Sequence, residues 1–291
     1  MTAGSAIGAG MFSLPIVSSG MWFPLTIVSL LAIWLLSYLS SLMILEISLA
    51  FPIGKSFGTF SSELLGKAGG TVMGISIGFL LYILLYAYFS AFGNMAMHTL
   101  NWTADPNSTF PTQGVLGLLL GCAIAGIVWV GTVSVGRIAT ILVVAMMISF
   151  IISFSGALGQ INGQQLFNLT DGPPSYLPYL WAGLPYFITS FGFTSMVPSL
   201  YKYYGQDVPK IKGSLFLGSL LTLVTYLIWI GITFGILSRS EFIPINAAGG
   251  NMGDLIGALE QKIGSSTIQS CLLYTSPSPR DATLSRMPSS A

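Results

Sequence analysis

Gly8, Ala9 and Gly10 lie in the apolar stretch GSAIGAGMFSLP (4–15), with Pro15 seven residues beyond Gly8. A second stretch, LPYFITSFGFTSMVPSL (184–200), sets Gly192 six residues before Pro198, with polar Thr194 and Ser195 between them. Glycine and proline both interrupt helices. In hydrocarbon, an interruption strands backbone N–H and C=O groups at several kcal/mol each. It survives only where protein, water or a ligand satisfies them. If the first segment unwinds, Gly8, Ala9 and Gly10 therefore mark a cavity, and Gly192, Phe191, Phe193 and Thr194 mark a second break. Half-helix N-termini offer free N–H groups and a positive dipole end, for which a carboxylate is the natural ligand. The alternative for either stretch alone is close helix packing with a kink.

Other residues could do chemistry. Glu46, in LMILEISLA, is a carboxylate in an apolar run. Burial would raise its pKa and make it a proton carrier. The alternative is an interface residue helped by Lys55. Tyr82 and Tyr86 are four apart on one helical face, with Ser90 four further on. That stripe either lines a pocket for an aromatic ligand or packs against neighbouring helices. Tyr88 points elsewhere. Phe191 and Phe193 would stack on a ligand at the second break, or fill core. Trp22 reads as an interface anchor and Arg137 as a positive-inside anchor. His98, the one histidine, reads as structural. Cys122 and Cys271 have no metal or redox spacing, and no cofactor or metal is expected. These residues supply no catalytic constellation for an enzyme, and no filter sequence for a channel.

The elements that must position these groups are membrane spans. The 291 residues are 53% hydrophobic and 7% charged, with mean hydropathy +0.80. A soluble domain needs about 25% charged residues. The net charge of +1 points to no nucleic-acid partner. A span needs about 20 apolar residues. Candidates run over 1–18, 22–50, 71–98, 113–133, 138–158, 178–200 and 213–237, with an eighth starting near 265. Lys55 and Lys67, then Arg137, then Lys202, Lys210 and Lys212 fall in alternate connections. The opposite connections 99–112 and 159–177 hold no Lys or Arg, and the loop 238–264 holds only Arg239 and Lys262. The basic set faces the cytoplasm, so the N-terminus starts there. The two interrupted segments are five spans apart and run in opposite directions, the mark of an inverted-repeat transporter with its site where the breaks meet.

Those stretches, with LMILEISLAFPIGKSFGTF, GISIGFLLYILLYAYFSAFG, LPYFITSFGFTSMVPSLYKYYG and IPINAAGGNMGDL, also carry a resemblance over residues 1–270. The sequence resembles the hydroxy and aromatic amino acid permease family, typified by bacterial tryptophan- and tyrosine-specific permeases, within the amino acid–polyamine–organocation superfamily. The resemblance implies an all-α polytopic membrane protein of leucine-transporter type, five plus five inverted helices with one added. It implies proton-coupled import of aromatic amino acids across the bacterial inner membrane; no obligate protein partner is evident from the sequence. In place of the family's His-Gly pair after the SFG-aromatic motif, this chain has Thr194-Ser195. Transport of another neutral amino acid is the alternative, as is a fragment that inserts without transporting.

The segment CLLYTSPSPRDATLSRMPSSA (271–291) differs from the rest, being rich in Ser, Pro and Arg without helical or strand period. It resembles translated read-through of a sequencing adapter. The expected organisation is thus an incomplete transporter domain over 1–270, truncated after about seven spans, and a non-native tail over 271–291. A native disordered tail is the alternative.

Overall fold

The computed structural model describes Ile7, Met11 and residues 13–55, 57–99, 112–130, 141–145, 148, 151, 159, 161–167, 176–250 and 252–263. All secondary structure among these residues is helical. The long apolar runs dictate this, because a helix satisfies its own backbone where water is absent. Helix α1 is Trp22–Leu49, α2 is Phe57–Thr99, α3 is Thr112–Val130, and α4 is the single turn Gly163–Leu166. Helix α5, Leu177–Ser190, leads through a 3-10 turn, Gly192–Met196, into α6, Val197–Tyr204. Then follow α7, Val208–Ile236, α8, Arg239–Ala247, and α9, Met252–Ile263.

Trp22–Leu49, Phe57–Asn94 and Val208–Ile236 are long and apolar enough to cross a membrane. At about 1.5 Å per residue, each exceeds the hydrocarbon thickness of about 30 Å. Helix α2 bends at Gly66, whose φ of 77° leaves the helical region. The expected span 113–133 appears as α3, and 178–200 as the broken pair α5 and α6. The expected span 1–18 is described only in part, helical over 13–18, and so is 138–158, with 141–145 helical. The tail over 271–291 and the eighth span near 265 lie outside the described residues.

One correction concerns 238–264, expected as a loop. Most of it folds as α8 and α9. Ser238 and Glu241 form a capping box, with the Ser238 N–H donating to Glu241 Oε2 at 2.7 Å. Leu255, Ile256 and Leu259 bury one face of α9. Lys262 Nζ donates to Glu241 Oε2 at 2.8 Å and to the Ile236 carbonyl at 3.3 Å, tying α9 to α8 and to the end of α7. The signal was present in the sequence: Ser238-x-x-Glu241 is a helix start, followed by apolar residues at helical spacing.

Burial pushes the Glu241 carboxyl up, but the hydrogen bonds from Lys262 and Ser238 outweigh it and hold the pKa below its ordinary value. A carboxylate depressed in the folded state stabilises above its unfolded pKa and loses that contribution as pH falls through the folded value. The melting temperature should therefore drop with acidification through and below the ordinary carboxylate range. A Glu241→Gln protein should show a shallower slope there in thermal scans at stepped pH.

The core lies between α1, α5, the 3-10 turn, α6 and α7, where Phe187, Phe191, Phe193, Tyr226, Trp229 and Phe234 are buried. Helix α4 docks on the end of α7, where the Asn162 N–H donates to the Gly235 carbonyl at 3.0 Å. At the other end, Tyr201 of α6 donates its hydroxyl to the Phe51 carbonyl at 3.5 Å.

Helices α2 and α3 form a hairpin with very close backbones. Gln113 Nε2 donates to the Ser90 carbonyl and hydroxyl, both at 3.1 Å. A Cβ on Gly93 would collide with the Gln113 carbonyl, and one on Gly117 would lie 2.7 Å from the Phe89 carbonyl. Small residues permit this approach in membranes. Because backbone cannot yield as a side chain can, Gly93→Ala should cost about 1–3 kcal/mol. Detergent-titrated unfolding against the wild type checks it.

Candidate functional site

The second break forms. Helix α5 ends at Ser190, Phe191 leaves helical geometry at φ −99° and ψ 34°, and the chain tightens into the 3-10 turn before α6 restarts. Pro198 sits in the first turn of α6, where its missing N–H costs nothing. The stranded carbonyls find partners. Tyr226 of α7 donates its hydroxyl to the Ser190 carbonyl at 3.0 Å, and Ser195 donates to the Gly192 carbonyl at 3.0 Å. Tyr226 was missed from sequence. Its signal was a phenol within an apolar span, which needs a partner once buried.

Beside the break lies a cavity of about 480 Å³. Four elements wall it: Ser13 and Ile16 of the first segment, the α2 face carrying Tyr86, Tyr88, Ser90 and Asn94, the α5 turn of Tyr186, Thr189 and Ser190, and Gly250 with Met252 where α8 gives way to α9. Its size falls in the range of about 300–1,000 Å³ common to small-molecule sites. Rings and hydroxyls alternate on its walls, which suits a ligand with an aromatic body and polar groups.

The expected site residues divide. Tyr86 and Ser90 line the cavity, while Tyr82 is 70% exposed and lies outside its walls. Tyr88, expected to point elsewhere, is buried and lines it. The α2 helix presents both 86–90 and 84–88–91 rows to this space, so a single i,i+4 stripe was too narrow a description. Phe191 and Phe193 are buried in the core, where Phe191 packs edge-on to Tyr226 with centroids 5.4 Å apart. Neither is among the cavity's lining residues. Gly192 is exposed and Thr194 half-buried, and the Thr194 carbonyl accepts the Val197 N–H. Gly8, Ala9 and Gly10 lie outside the described residues, as does the His98 side chain. Glu46 is exposed on α1, away from this cavity, and Lys55 pairs with Glu63 at 3.6 Å instead.

Trp22 is the other correction. Expected as an interface anchor, it is 1% exposed. It stacks on Phe234 with centroids 4.5 Å apart and meets Phe242 edge-on. Its indole N–H donates to the Gln165 carbonyl at 3.0 Å. The chain turns at Ser18–Met21 just ahead of this ring, and helices α4, α7 and α8 close over it through Gln165, Phe234 and Phe242.

The geometry thus provides a ligand-sized cavity at a broken helix inside an apolar helical bundle. The tryptophan/tyrosine permease family model matches residues 1–278. The chain belongs to that family. It is a family of permeases rather than enzymes. Relatives include a tryptophan-specific transport protein of Pseudomonas aeruginosa, 43% identical over 270 residues, 93% of this chain and 64% of the relative. A tyrosine permease of Enterobacter agglomerans is 39% identical over 262 residues, 88% of this chain and 62% of the relative. A low affinity tryptophan permease of Escherichia coli is 34% identical over 280 residues, covering 94% and 66%. The chain therefore spans somewhat less than two thirds of the length of these family members.

Proposed function

We propose that the protein is a secondary transporter that moves aromatic amino acids across the bacterial inner membrane, with its N-terminus in the cytoplasm. The observation that carries this reading is the 480 Å³ cavity where the first segment, α2 and the end of α5 converge beside the second break. In this reading the substrate ring lies against Tyr86 and Tyr88. Its polar groups meet Ser13, Ser90 and the hydroxyls of Thr189 and Ser190. Its carboxylate binds the backbone near Gly8, Ala9 and Gly10. Phe191, Gly192, Phe193 and Thr194 set the shape of the break behind the pocket. The pairing of this break with the interruption expected from the sequence at Gly8, Ala9 and Gly10 supports an inverted-repeat architecture of leucine-transporter type.

Coupling to protons is the second part of the proposal. Glu46 is the one carboxylate within the apolar segments 22–49, 71–99, 112–130, 177–200 and 208–236. An ionisable group at such a position marks a proton path. The test is uptake of labelled tryptophan and tyrosine by cells that express the protein and lack other aromatic amino acid uptake. Saturable uptake that a protonophore collapses, and that Glu46→Gln makes insensitive to external pH, is the expected result. Absence of uptake overturns the transport reading. Uptake that follows external sodium and ignores pH overturns proton coupling alone.

A further inference from the structure

Ser90 is held differently from other hydroxyls of the apolar helices. Ser29, Ser41 and Ser48 of α1 each donate to the carbonyl four residues back, at 2.8, 2.8 and 2.7 Å. Thr189 and Ser190 do the same at the cavity wall, donating to the Pro185 and Tyr186 carbonyls, both at 2.7 Å. A hydroxyl has one proton to give. Thr189 and Ser190 therefore face the cavity with lone pairs only. Ser90 makes no such backward bond among the described residues. Its Oγ instead accepts from Gln113 Nε2 at 3.1 Å, and the same nitrogen donates to the Ser90 carbonyl at 3.1 Å.

Chemistry fixes the polarity of this pair. A carbonyl can only accept, so the carboxamide atom that meets it is the nitrogen. That nitrogen can only donate, so Ser90 Oγ spends a lone pair on it and keeps its own proton. Ser90 lines the 480 Å³ cavity, whereas Gln113, in the first turn of α3, is not among the lining residues. A hydroxyl that already accepts is also a stronger donor, because linked hydrogen bonds polarise one another. Holding α2 to α3 needs only the bond to the Ser90 carbonyl. The bond to Oγ acts on what the cavity wall presents.

We propose that Gln113 is a positioning residue that keeps the Ser90 hydroxyl as a donor toward the ligand, and so favours aromatic amino acids whose ring edge carries an acceptor, a phenol before a bare phenyl ring. This rests on the transport reading above, in which the ring lies against Tyr86 and Tyr88. Ser90 is four residues on from Tyr86, on the same helical face, so it meets the edge of a ring lying along α2. Thr189 and Ser190 have no proton left to offer that edge. Without Gln113, the Ser90 hydroxyl turns back to the Tyr86 carbonyl, as the α1 serines do to theirs, and the cavity faces lone pairs there instead.

The test is competition against uptake of labelled tryptophan, in cells that express the protein and lack other aromatic amino acid uptake. Tyrosine and 4-methylphenylalanine match in size and differ in the ring-edge hydroxyl. Tyrosine should compete more tightly by about two- to tenfold, the range for one net hydrogen bond. Gln113→Leu and Ser90→Ala should each bring that ratio close to one. The double variant should go no further, because all three lose the same interaction. In the wild type, 4-methoxyphenylalanine, whose ring edge accepts but cannot donate, should also compete more tightly than 4-methylphenylalanine. That comparison carries the question should Gln113→Leu fold poorly. A glutamine that only braced α2 against α3 would change the amount of protein in the membrane, or the affinity for every competitor alike, and leave the ratio as it was. An unchanged ratio in Gln113→Leu, a wild-type ratio of one, a 4-methoxy analogue no better than the 4-methyl, or further loss in the double variant would each overturn the inference. Any of these with uptake intact defeats the role of Gln113 alone, while absence of saturable tryptophan and tyrosine uptake defeats the transport reading itself.

Discussion

Trp22→Ala should destabilise the protein by about 3–5 kcal/mol, the range for truncating a buried large aromatic. The site has little means of collapsing around the gap. Phe234 lies parallel to the indole at an interplanar angle of 8°, and Phe242 abuts its edge at 90°. Both belong to separate helices that meet through this ring. The substitution also strands the Gln165 carbonyl, which accepts the indole N–H. It also removes the ring against which the Arg239 guanidinium lies, 5.6 Å from the ring centroid. Trp22 has φ 61°, a left-handed conformation unfavourable for a bulky side chain. That strain, of order 1–3 kcal/mol, is held by the packing. Alanine would keep the strain and lose the packing. Trp22→Phe should recover most of the stack without the hydrogen bond, and fall between the two. Unfolding in detergent, followed by tryptophan-independent far-UV dichroism, ranks the three proteins. A Trp22→Ala protein as stable as wild type would show that the ring is not the junction of these helices.

What could be read from sequence follows from which forces act locally. Long apolar runs fix helices, since lipid allows the backbone few other states, and α1, α3 and α7 appear where hydropathy places them, while α2 covers the expected 71–98 but begins earlier, at Phe57. The break after Ser190 was legible too, because Gly192 and Pro198 act on their own backbone. Side-chain direction was not. Phe191 and Phe193 flank a glycine at the break, yet the turn of the 3-10 segment carries both rings into the core against Tyr226. Trp22 has the composition and position of an interface residue, and only the approach of α4, α7 and α8 encloses it. Tyr88 reaches the cavity because α2 presents a broad face there. In each case the outcome depends on contacts between segments far apart in sequence, on which a local pattern is silent.

The same distinction between backbone and side chain sets the second large effect. Gly10→Val should reduce uptake of aromatic amino acids to the level of cells without the protein, while membrane insertion stays intact. The argument is that a carboxylate can reach backbone N–H groups only where no side chain stands between them. A β-branched residue both blocks that approach and stiffens the chain against unwinding. Gly192 provides the control. Its Cβ position meets no atom within 4 Å, and its φ lies in ordinary right-handed space. Gly192→Ala should therefore fold normally, and a small loss of uptake is expected where the break itself flexes. The two glycines look alike in sequence, each ahead of a proline in an apolar segment, but only the first is read here as open for ligand contact. Labelled tryptophan uptake, normalised to protein in the membrane fraction, separates them. Normal uptake by Gly10→Val would remove the first break from the binding site and leave the cavity between α2 and α5 to hold the substrate without it. Complete loss in a well-folded Gly192→Ala would instead place the ligand against the second break, in the open space beside Gly192.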